Sequence, residues 1–162
     1  MFRPLVLVVT FVAASIWVPA QVPQYKDYGS YKTYEGRNAK PIITKRDRSF
    51  RTRIRWASEG KRDFAGEYIF AQFGCGMACR ATFVINARTG RVSWLPFTIC
   101  CWEPFDADPV AYRLNSRLVA FRGLRNEGND EFSGDKPDDV HFYELRNGEF
   151  RFVKTIRGSS SQ

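Results

Sequence analysis

The most reactive side chains in the sequence are four cysteines, which stand in two short segments. Cys75 and Cys79 lie in the glycine-containing run FGCGMACR, and Cys100 and Cys101 are adjacent in TICCW. Cysteines in such groups act as a redox-active thiol pair, bind a metal ion as thiolates, or form structural disulfides. Other features of the sequence decide among these three kinds of chemistry.

The spacing of the cysteines argues against metal binding and thiol catalysis. Four-thiolate zinc sites have C-x-x-C pairs in both halves, whereas these halves are C-x-x-x-C and C-C. A thioredoxin-like site requires C-x-x-C at the start of a helix, and Gly74 and Gly76 indicate a turn instead. A catalytic thiolate requires a base, and the single histidine, His141, lies in the strand-like run DVHFYEL, which favours a half-buried structural imidazole. We therefore expect no catalytic residue, no metal ion and no cofactor.

The N-terminal residues have the order of a secretory signal peptide. Arg3 precedes the apolar run of residues 4–18, and the small residue Ala20 offers a cleavage point. The apolar run is shorter than the roughly 20 residues that a membrane-spanning helix needs. We expect residues 1–20 to be removed as a signal peptide, which leaves a periplasmic or secreted protein with no stable membrane insertion.

Export favours disulfides, because paired cysteines become oxidised outside the cytosol. The sequence leaves the connectivity of Cys75, Cys79, Cys100 and Cys101 open among three possibilities. In an extended strand, Cys100 and Cys101 would point to opposite faces, and a ring closed between neighbours is strained. We therefore prefer cross-links between the two segments, with a local Cys75–Cys79 bridge as the alternative.

The charges of the sequence are unevenly distributed. The chain has 25 Lys and Arg against 17 Asp and Glu, and residues 37–62 hold ten of these cations against Asp47 and Glu59. A basic segment of this kind indicates an anionic partner. Because export would place the protein beside envelope polymers and acidic proteins, we expect an anionic envelope polymer or protein partner and no nucleic acid.

Residues 126–139 form an acidic segment of opposite character. Six Asp and Glu accompany Lys136 there, and clustered oxygen ligands are what Ca²⁺ prefers. An EF-hand register fails, because when Asn129 takes the first position the twelfth is Val140 instead of Glu. We therefore predict a solvated hairpin loop.

The part of the chain after residue 20 divides into three regions. Residues 21–44 form a polar arm, residues 45–157 a single disulfide-braced β domain, and residues 158–162 a disordered tail. Tyrosines recur in the arm at every third position: Tyr25, Tyr28, Tyr31 and Tyr34. A polyproline II conformation would align them on one face, but the low hydrophobicity of the arm favours a loosely packed tail.

The β domain begins with a short helix and continues as strands. Residues 47–60 place Phe50, Ile54 and Ala57 on one helical face and Arg48, Arg51 and Arg55 on another. Aromatic and β-branched runs separated by turns predict strands at residues 66–73, 80–87, 91–95, 98–102, 110–114, 117–122, 140–145 and 149–156. The expected fold is mainly β: an antiparallel meander of about seven or eight strands, barrel-like or two-layered, with one short N-terminal helix.

Four runs of the sequence resemble one group of proteins. The runs are FAGEYIFAQFGCGMAC, VINARTGRV, LPFTICCW and YRLNSRLVAFRG, within residues 51–123. They are similar to the F-A-G-x-Y, G-C-G-x-x-C, T-G-x-V and L-P-F-T-x-C-C-W motifs of a family of small secreted proteobacterial proteins of no established function. The resemblance implies an exported β domain with disulfides, and it implies no reaction. Asn86 and Asn115 stand where the family pattern has Asp, so a carboxylate role at these positions is not carried over.

The sequence thus favours an exported, non-enzymatic binding protein of the cell envelope, of the kind that serves as an inhibitor or immunity factor. The expected binding residues are arginines of the basic segment and two tryptophans: Arg51, Arg55, Arg62, Trp94 and Trp102. Trp94 and Trp102 are also candidates for the core, and the core is the favoured interpretation. The alternatives are an envelope carbohydrate hydrolase and a thiol oxidoreductase. The hydrolase would use Glu103, Asp106 or Asp108, and the oxidoreductase Cys75 and Cys79.

Overall fold

Nine β-strands in two antiparallel sheets and one short α-helix make up the fold, as described by a computed structural model. The structure describes residues 21–30, 32–76, 78–128 and 134–159. The predicted signal peptide, Tyr31, the centre of the acidic segment and the last three residues lie outside the described residues. The expected mainly β, antiparallel fold with one short N-terminal helix is confirmed, and the two sheets do not close into a barrel.

The elements follow one another with short connections. The helix α1 spans Arg51–Ser58 and is preceded by 3-10 turns at Tyr25–Tyr28 and Arg48–Phe50. The strands are β1 Tyr68–Gly76, β2 Cys79–Asn86, β3 Val92–Trp94, β4 Thr98–Cys100, β5 Val110–Tyr112, β6 Leu118–Arg122, β7 Leu124–Asn126, β8 Val140–Arg146 and β9 Glu149–Ile156. None of the helices in the described residues is long and apolar enough to cross a membrane.

The first sheet is built around β2. One edge of β2 pairs with β1, from Tyr68 opposite Asn86 to Gly76 opposite Cys79. The other edge pairs with β3 near one end and with β4 near the other, and β7 continues the sheet beyond β4. Strand β1 runs three residues further than the sequence predicted, so Cys75 belongs to the strand.

The second sheet has the order β5-β6-β8-β9. The chain leaves it after β6, contributes β7 to the first sheet, and returns as β8, so the topology is not a simple meander. The crossing occurs at Gly123, whose φ of 113° is open to glycine but costly for other residues. A side chain there would also collide with the carbonyl oxygen of Cys100.

The main core lies between the two sheets, because alternate residues of each strand point inwards. Phe70 and Val84 contribute from the first sheet, and Val119, Phe121 and Tyr143 from the second. The rings of Phe97 and Tyr143 approach to 5.0 Å between centroids. This core joins the sheets face to face, as in a two-layer sandwich.

Each sheet is also covered on its outer face, which explains why the central strands are apolar on both sides. Helix α1 packs Ile54 against Ile69, Phe83 and Ile85 of the first sheet. The 3-10 turn Tyr25–Tyr28 covers the second sheet, where Leu118, Ala120 and Phe142 are buried. The molecule is therefore layered as helix, sheet, sheet and N-terminal arm.

The predicted loosely packed arm is instead docked along the domain. Its backbone accepts a hydrogen bond from the hydroxyl of Ser116 and donates to the carbonyl oxygens of Gly66, Ala87 and Gly90. The polar composition of the arm predicted loose packing, but backbone hydrogen bonds, which do not depend on side-chain hydrophobicity, hold the arm against the domain. Gly66 and Gly90 both have positive φ, and a side chain at either would collide with the backbone of the arm. The glycines of the FAGEY and RTG runs thus leave the space in which the arm packs against the domain.

Candidate functional site

Helix α1 presents an apolar face to the first sheet and a row of cations to solvent. Ile54 is fully buried, whereas Arg51, Arg53 and Arg55 are exposed. The basic segment, residues 37–62, contains ten Lys and Arg, and none of them forms a salt bridge within the described residues. Uncompensated charge of this density creates a positive potential that attracts anions.

One open groove lies beside α1, and four of its eleven lining residues are cations. This basic groove has a volume of about 710 Å³, and Arg37, Lys40, Arg55 and Arg62 line it together with Glu59. The guanidinium of Arg62 donates to the carbonyl oxygen of Gly36 at 2.8 Å and to Oδ1 of Asn38 at 2.9 Å. One cation of the groove is thus held in place, whereas Arg37, Lys40 and Arg55 form no salt bridge with any described residue.

A second groove opens on the other side of α1 and has aromatic walls. This aromatic groove has a volume of about 630 Å³, and its lining includes Phe50, Phe73, Trp94, Phe97, Arg46 and Arg53. The guanidinium carbon of Arg53 stands 4.8 Å from the ring centroid of Phe73. Rings and guanidinium groups in one groove suit a ligand with apolar faces and negative charge.

Asp47 fixes the loop that separates the two grooves. Its carboxylate accepts hydrogen bonds from the backbone and hydroxyl of Thr44, at 2.8 and 2.6 Å, and from Nε1 of Trp94 at 2.7 Å. Burial raises the pKa of Asp47, but these hydrogen bonds and the charge of Arg46 outweigh it and leave the pKa below its usual value. The hydrogen bond to Asp47 thereby holds the indole of Trp94, which lines the aromatic groove.

The predicted binding residues separate into four locations. Arg55 and Arg62 line the basic groove, and Trp94 lines the aromatic groove. Arg51 is exposed on α1 but lines neither groove. Trp102 is buried in the core between the sheets, where its Nε1 donates to backbone carbonyl oxygens.

Six residues that line the grooves were not among the binding residues predicted from the sequence. They are Arg37, Lys40, Arg46, Arg53, Phe50 and Phe73. The local basic composition signalled the cations as a group. The pairing of Asp47 with Trp94 joins residues 47 positions apart and leaves no local signal.

The three carboxylates of the hydrolase alternative lie in the segment between β4 and β5. Glu103, Asp106 and Asp108 are all exposed. Oδ1 of Asp108 accepts a hydrogen bond from the backbone of Val110 at 3.0 Å, which caps the start of β5. Within the described residues, no group of three or more His, Cys, Asp and Glu side chains is placed to hold a metal ion.

The cysteines form one disulfide in the structure, between Cys75 and Cys79. Cys100 and Cys101 are free thiols, buried and exposed respectively. The preferred cross-links between the two segments are therefore wrong for this structure, and the local alternative is found. Because β1 and β2 are joined by a tight hairpin, Cys75 and Cys79 meet near its tip before any long-range pairing is needed.

The acidic segment is anchored by buried ion pairs, in contrast to the predicted solvated loop. Arg125 donates two hydrogen bonds to the carboxylate of Asp135, from Nε at 2.8 Å and from Nη2 at 3.0 Å. Asp139 accepts hydrogen bonds from Arg157 at 2.6 Å and from the backbone of Gly158 at 2.8 Å. The side chains of both aspartates are fully buried. Residues 129–133, which include the tested calcium register, lie outside the described residues.

His141 is a buried structural residue within this cluster of ion pairs. Its Nε2 lies 2.8 Å from the carbonyl oxygen of Gly123, so Nε2 carries the hydrogen, and its Nδ1 accepts from the hydroxyl of Thr155 at 2.9 Å. Burial is the main cause that lowers the pKa of His141 below its usual value. The residue is more deeply buried than the half-buried imidazole that the sequence predicted.

Asn86, one of the two departures from the family pattern, has a structural role. Its Oδ1 accepts hydrogen bonds from the backbone N–H groups of Arg88 and Thr89, both at 3.0 Å, which closes the turn after β2. Its amide also donates to the carboxylate of Glu67 at 2.8 Å. A second carboxylate at this position would repel Glu67 instead of donating to it. Asn115 is exposed, and its backbone carbonyl accepts from Ser30.

Comparison with known proteins gives no relative from which a function could be transferred. No protein family, no curated protein and no solved structure matches the chain. The resemblance to small secreted proteobacterial proteins remains a prediction. The functional conclusion rests on the geometry of the two grooves beside α1.

Proposed function

We propose that the protein is an exported, non-enzymatic binding protein that recognises an anionic polymer of the cell envelope through the grooves beside α1. The observation that carries the proposal is that, within the described residues, none of the Lys and Arg side chains of residues 37–62 forms a salt bridge. Several arginines elsewhere in the fold, among them Arg88, Arg117 and Arg146, are paired with carboxylates. Positive charge that the fold does not neutralise is available to a ligand.

The chemistry of the grooves supports a polymer with phosphate or carboxylate groups and sugar rings. Guanidinium groups form paired hydrogen bonds with such anions. The walls of the aromatic groove offer ring faces, and Trp94 is held there by its hydrogen bond to Asp47. Because α1 separates the basic groove from the aromatic groove, an extended chain could contact both.

The predicted signal peptide and the disulfide support a location outside the cytosol, where envelope polymers are the abundant polyanions. The exposed Cys75–Cys79 bridge is of a kind that persists in an oxidising compartment. An acidic protein bound in an inhibitor or immunity role would use the same cations and would be separated from a polymer by the binding experiment.

The experiment is a titration of the protein with a purified anionic envelope polysaccharide and with a neutral polysaccharide of similar size. We expect binding of the anionic polymer alone, with an affinity that falls as salt rises. Replacing two cations of the basic groove, Arg37→Ala with Arg55→Ala, should weaken the Kd by about tenfold or more. The matched control is Arg146→Ala with Arg151→Ala, which removes two exposed arginines from β8 and β9 and should leave the Kd unchanged.

The outcomes separate the proposal from its rivals. Equal losses of affinity in the two double variants, or an affinity independent of salt, would contradict recognition by the basic groove. Failure to bind any polysaccharide, together with groove-dependent binding of an acidic envelope protein, would replace the polymer by a protein partner.

A further inference from the structure

The free thiol of Cys100 and the disulfide are neighbours across two strands. Cys79 of β2 stands directly opposite Cys100 of β4. The backbone N–H of Cys101 donates to the carbonyl oxygen of Ala78 at 3.2 Å. Ala78 and Cys101, the next pair along the ladder, are therefore a hydrogen-bonded pair. Hydrogen-bonded and non-hydrogen-bonded pairs alternate along an antiparallel ladder, which makes Cys79 and Cys100 a non-hydrogen-bonded pair. Side chains of such pairs share one face, with Cα atoms about 4.5 Å apart, inside the range of roughly 4.4 to 6.8 Å that disulfides span.

The four cysteine residues therefore form a row across neighbouring strands of the first sheet. Cys75 is bonded to Cys79, Cys79 faces Cys100, and Sγ of Cys100 lies 2.9 Å from Sγ of Cys101. Exposure differs along the row: Cys75 and Cys101 are exposed, Cys79 is half-buried, and Cys100 is buried. One end of the row is a disulfide and the other end is a dithiol.

We propose that this row is an internal thiol–disulfide exchange site. In the exchange, the thiolate of Cys100 attacks Sγ of Cys79, a new bond joins Cys79 to Cys100, and the bond between Cys75 and Cys79 breaks. The electron pair of the broken bond passes to Cys75, which leaves as a thiolate and takes up a proton, while the proton of Cys100 has gone to solvent. One disulfide and two thiols are present before and after, so the step needs no oxidant or reductant.

The exchange changes both the position of the bridge and the position of the free thiol. The bridge within the β1–β2 hairpin becomes a bridge between β2 and β4, which ties a second strand pair of the first sheet together. The thiol that was buried at Cys100 is replaced by an exposed thiol at Cys75. The site thus moves reactivity from the interior to the tip of the hairpin.

The rate of exchange is set by the ionisation of the attacking thiol. Burial first, and then the neighbouring Cys101, raises the pKa of Cys100 to about 12. The thiolate is therefore scarce at neutral pH, and the observed Cys75–Cys79 bridge is the long-lived arrangement there. Below that pKa, each additional pH unit should accelerate the exchange about tenfold, because only the thiolate attacks.

The exchange can be followed by mapping disulfides in the purified, unreduced full-length chain. The protein is incubated at about pH 7 and about pH 10, quenched in acid, and its free thiols are alkylated before peptide mass spectrometry. We expect a peptide linked through Cys79 and Cys100 to form faster at the higher pH, together with alkylated Cys75. A bridge that stays between Cys75 and Cys79 at both values, or isolated protein in which Cys100 and Cys101 are already bonded, would overturn the proposal.

Two variants and one mixing control distinguish ordered exchange from random scrambling. Cys101→Ser retains the attacking thiol and should form the Cys79–Cys100 bridge, whereas Cys100→Ser should keep the original bridge alone. When isotopically labelled and unlabelled proteins are mixed, the linked peptides should carry a single label. Mixed-label peptides, or bridges to Cys101 in the Cys100→Ser variant, would contradict an internal, directed step.

Discussion

The basic segment beside α1 and the ion-pair cluster beneath the acidic segment use charge in opposite ways. In the basic segment, cations such as Arg51 and Arg55 are exposed and form no salt bridge within the described residues. In the cluster, Arg125 and Arg157 meet the fully buried carboxylates of Asp135 and Asp139. The fold therefore neutralises charge in one region and leaves it uncompensated in the other.

We therefore expect the buried cluster to stabilise the fold, and the exposed basic segment is the region that we propose for ligand recognition. Desolvation of the two charges opposes formation of a buried ion pair. Substitution of one partner destabilises the fold by much more, because the other charge stays buried without a counter-charge. Exposed, unpaired cations contribute little to folding, yet their potential extends over about a Debye length of 8 to 10 Å into solvent. Substitutions in the cluster should therefore change the free energy of unfolding, and substitutions in the basic segment should change binding.

The largest expected effect is in the cluster. Asp135→Ala leaves Arg125 without its bidentate partner and removes a carboxylate that Arg157 also approaches at 3.6 Å. The free energy of unfolding should fall by about 3 to 5 kcal/mol, measured by urea denaturation at neutral pH. The exposed Glu103→Ala should change it by no more than about 0.5 kcal/mol. Equal, small effects of the two substitutions would end the distinction between the regions.

A smaller effect should appear in the pH dependence of stability. His141 faces Asp135, Asp139 and Arg125, and burial keeps its pKa below the usual 6.5. As pH falls through 6.5, the unfolded chain takes up a proton that the folded chain does not, so folding loses stability until the lower folded pKa is reached. Between about pH 7.5 and about pH 5.5, the wild type should lose more free energy of unfolding than His141→Gln. A steeper loss in the variant would contradict a neutral buried imidazole.

The smallest effect on stability is expected in the basic segment. Arg37→Ala with Arg55→Ala should leave the free energy of unfolding within about 0.5 kcal/mol of the wild type, measured by the same denaturation. The same double variant should nevertheless weaken polymer binding strongly, because Arg37 and Arg55 line the basic groove. A destabilisation as large as that of Asp135→Ala would mean that these cations support the fold instead of a ligand.

Sequence patterns predicted the parts of the fold that depend on neighbours along the chain. The spacing of Phe50, Ile54 and Ala57 predicted the helix, which the structure places as a 3-10 turn followed by α1. Runs rich in aromatic and β-branched residues, separated by turns, predicted eight of the nine strands. Strand β7 was missed, because its three residues, Leu124–Asn126, include no aromatic or β-branched residue.

The sequence could not predict the parts that depend on distant partners. Asp135 and Asp139 looked like members of a solvated loop, and only the positions of Arg125 and Arg157 show why they are buried. The basic segment was recognisable from composition, but the two grooves depend on how α1 and the arm lie on the first sheet. The disulfide connectivity likewise depended on where β1 ends.

The hydrogen bond from the hydroxyl of Ser116 to the backbone of Tyr25 closes a loop of 91 residues. Closing so long a loop costs conformational entropy. The surface of the second sheet on which the turn Tyr25–Tyr28 packs exists only after β6 and β8 have paired. We therefore expect residues 21–30 to reach their native positions late in folding, although they precede every strand in the chain. Until they arrive, the outer face of the second sheet stays open to water and to other chains.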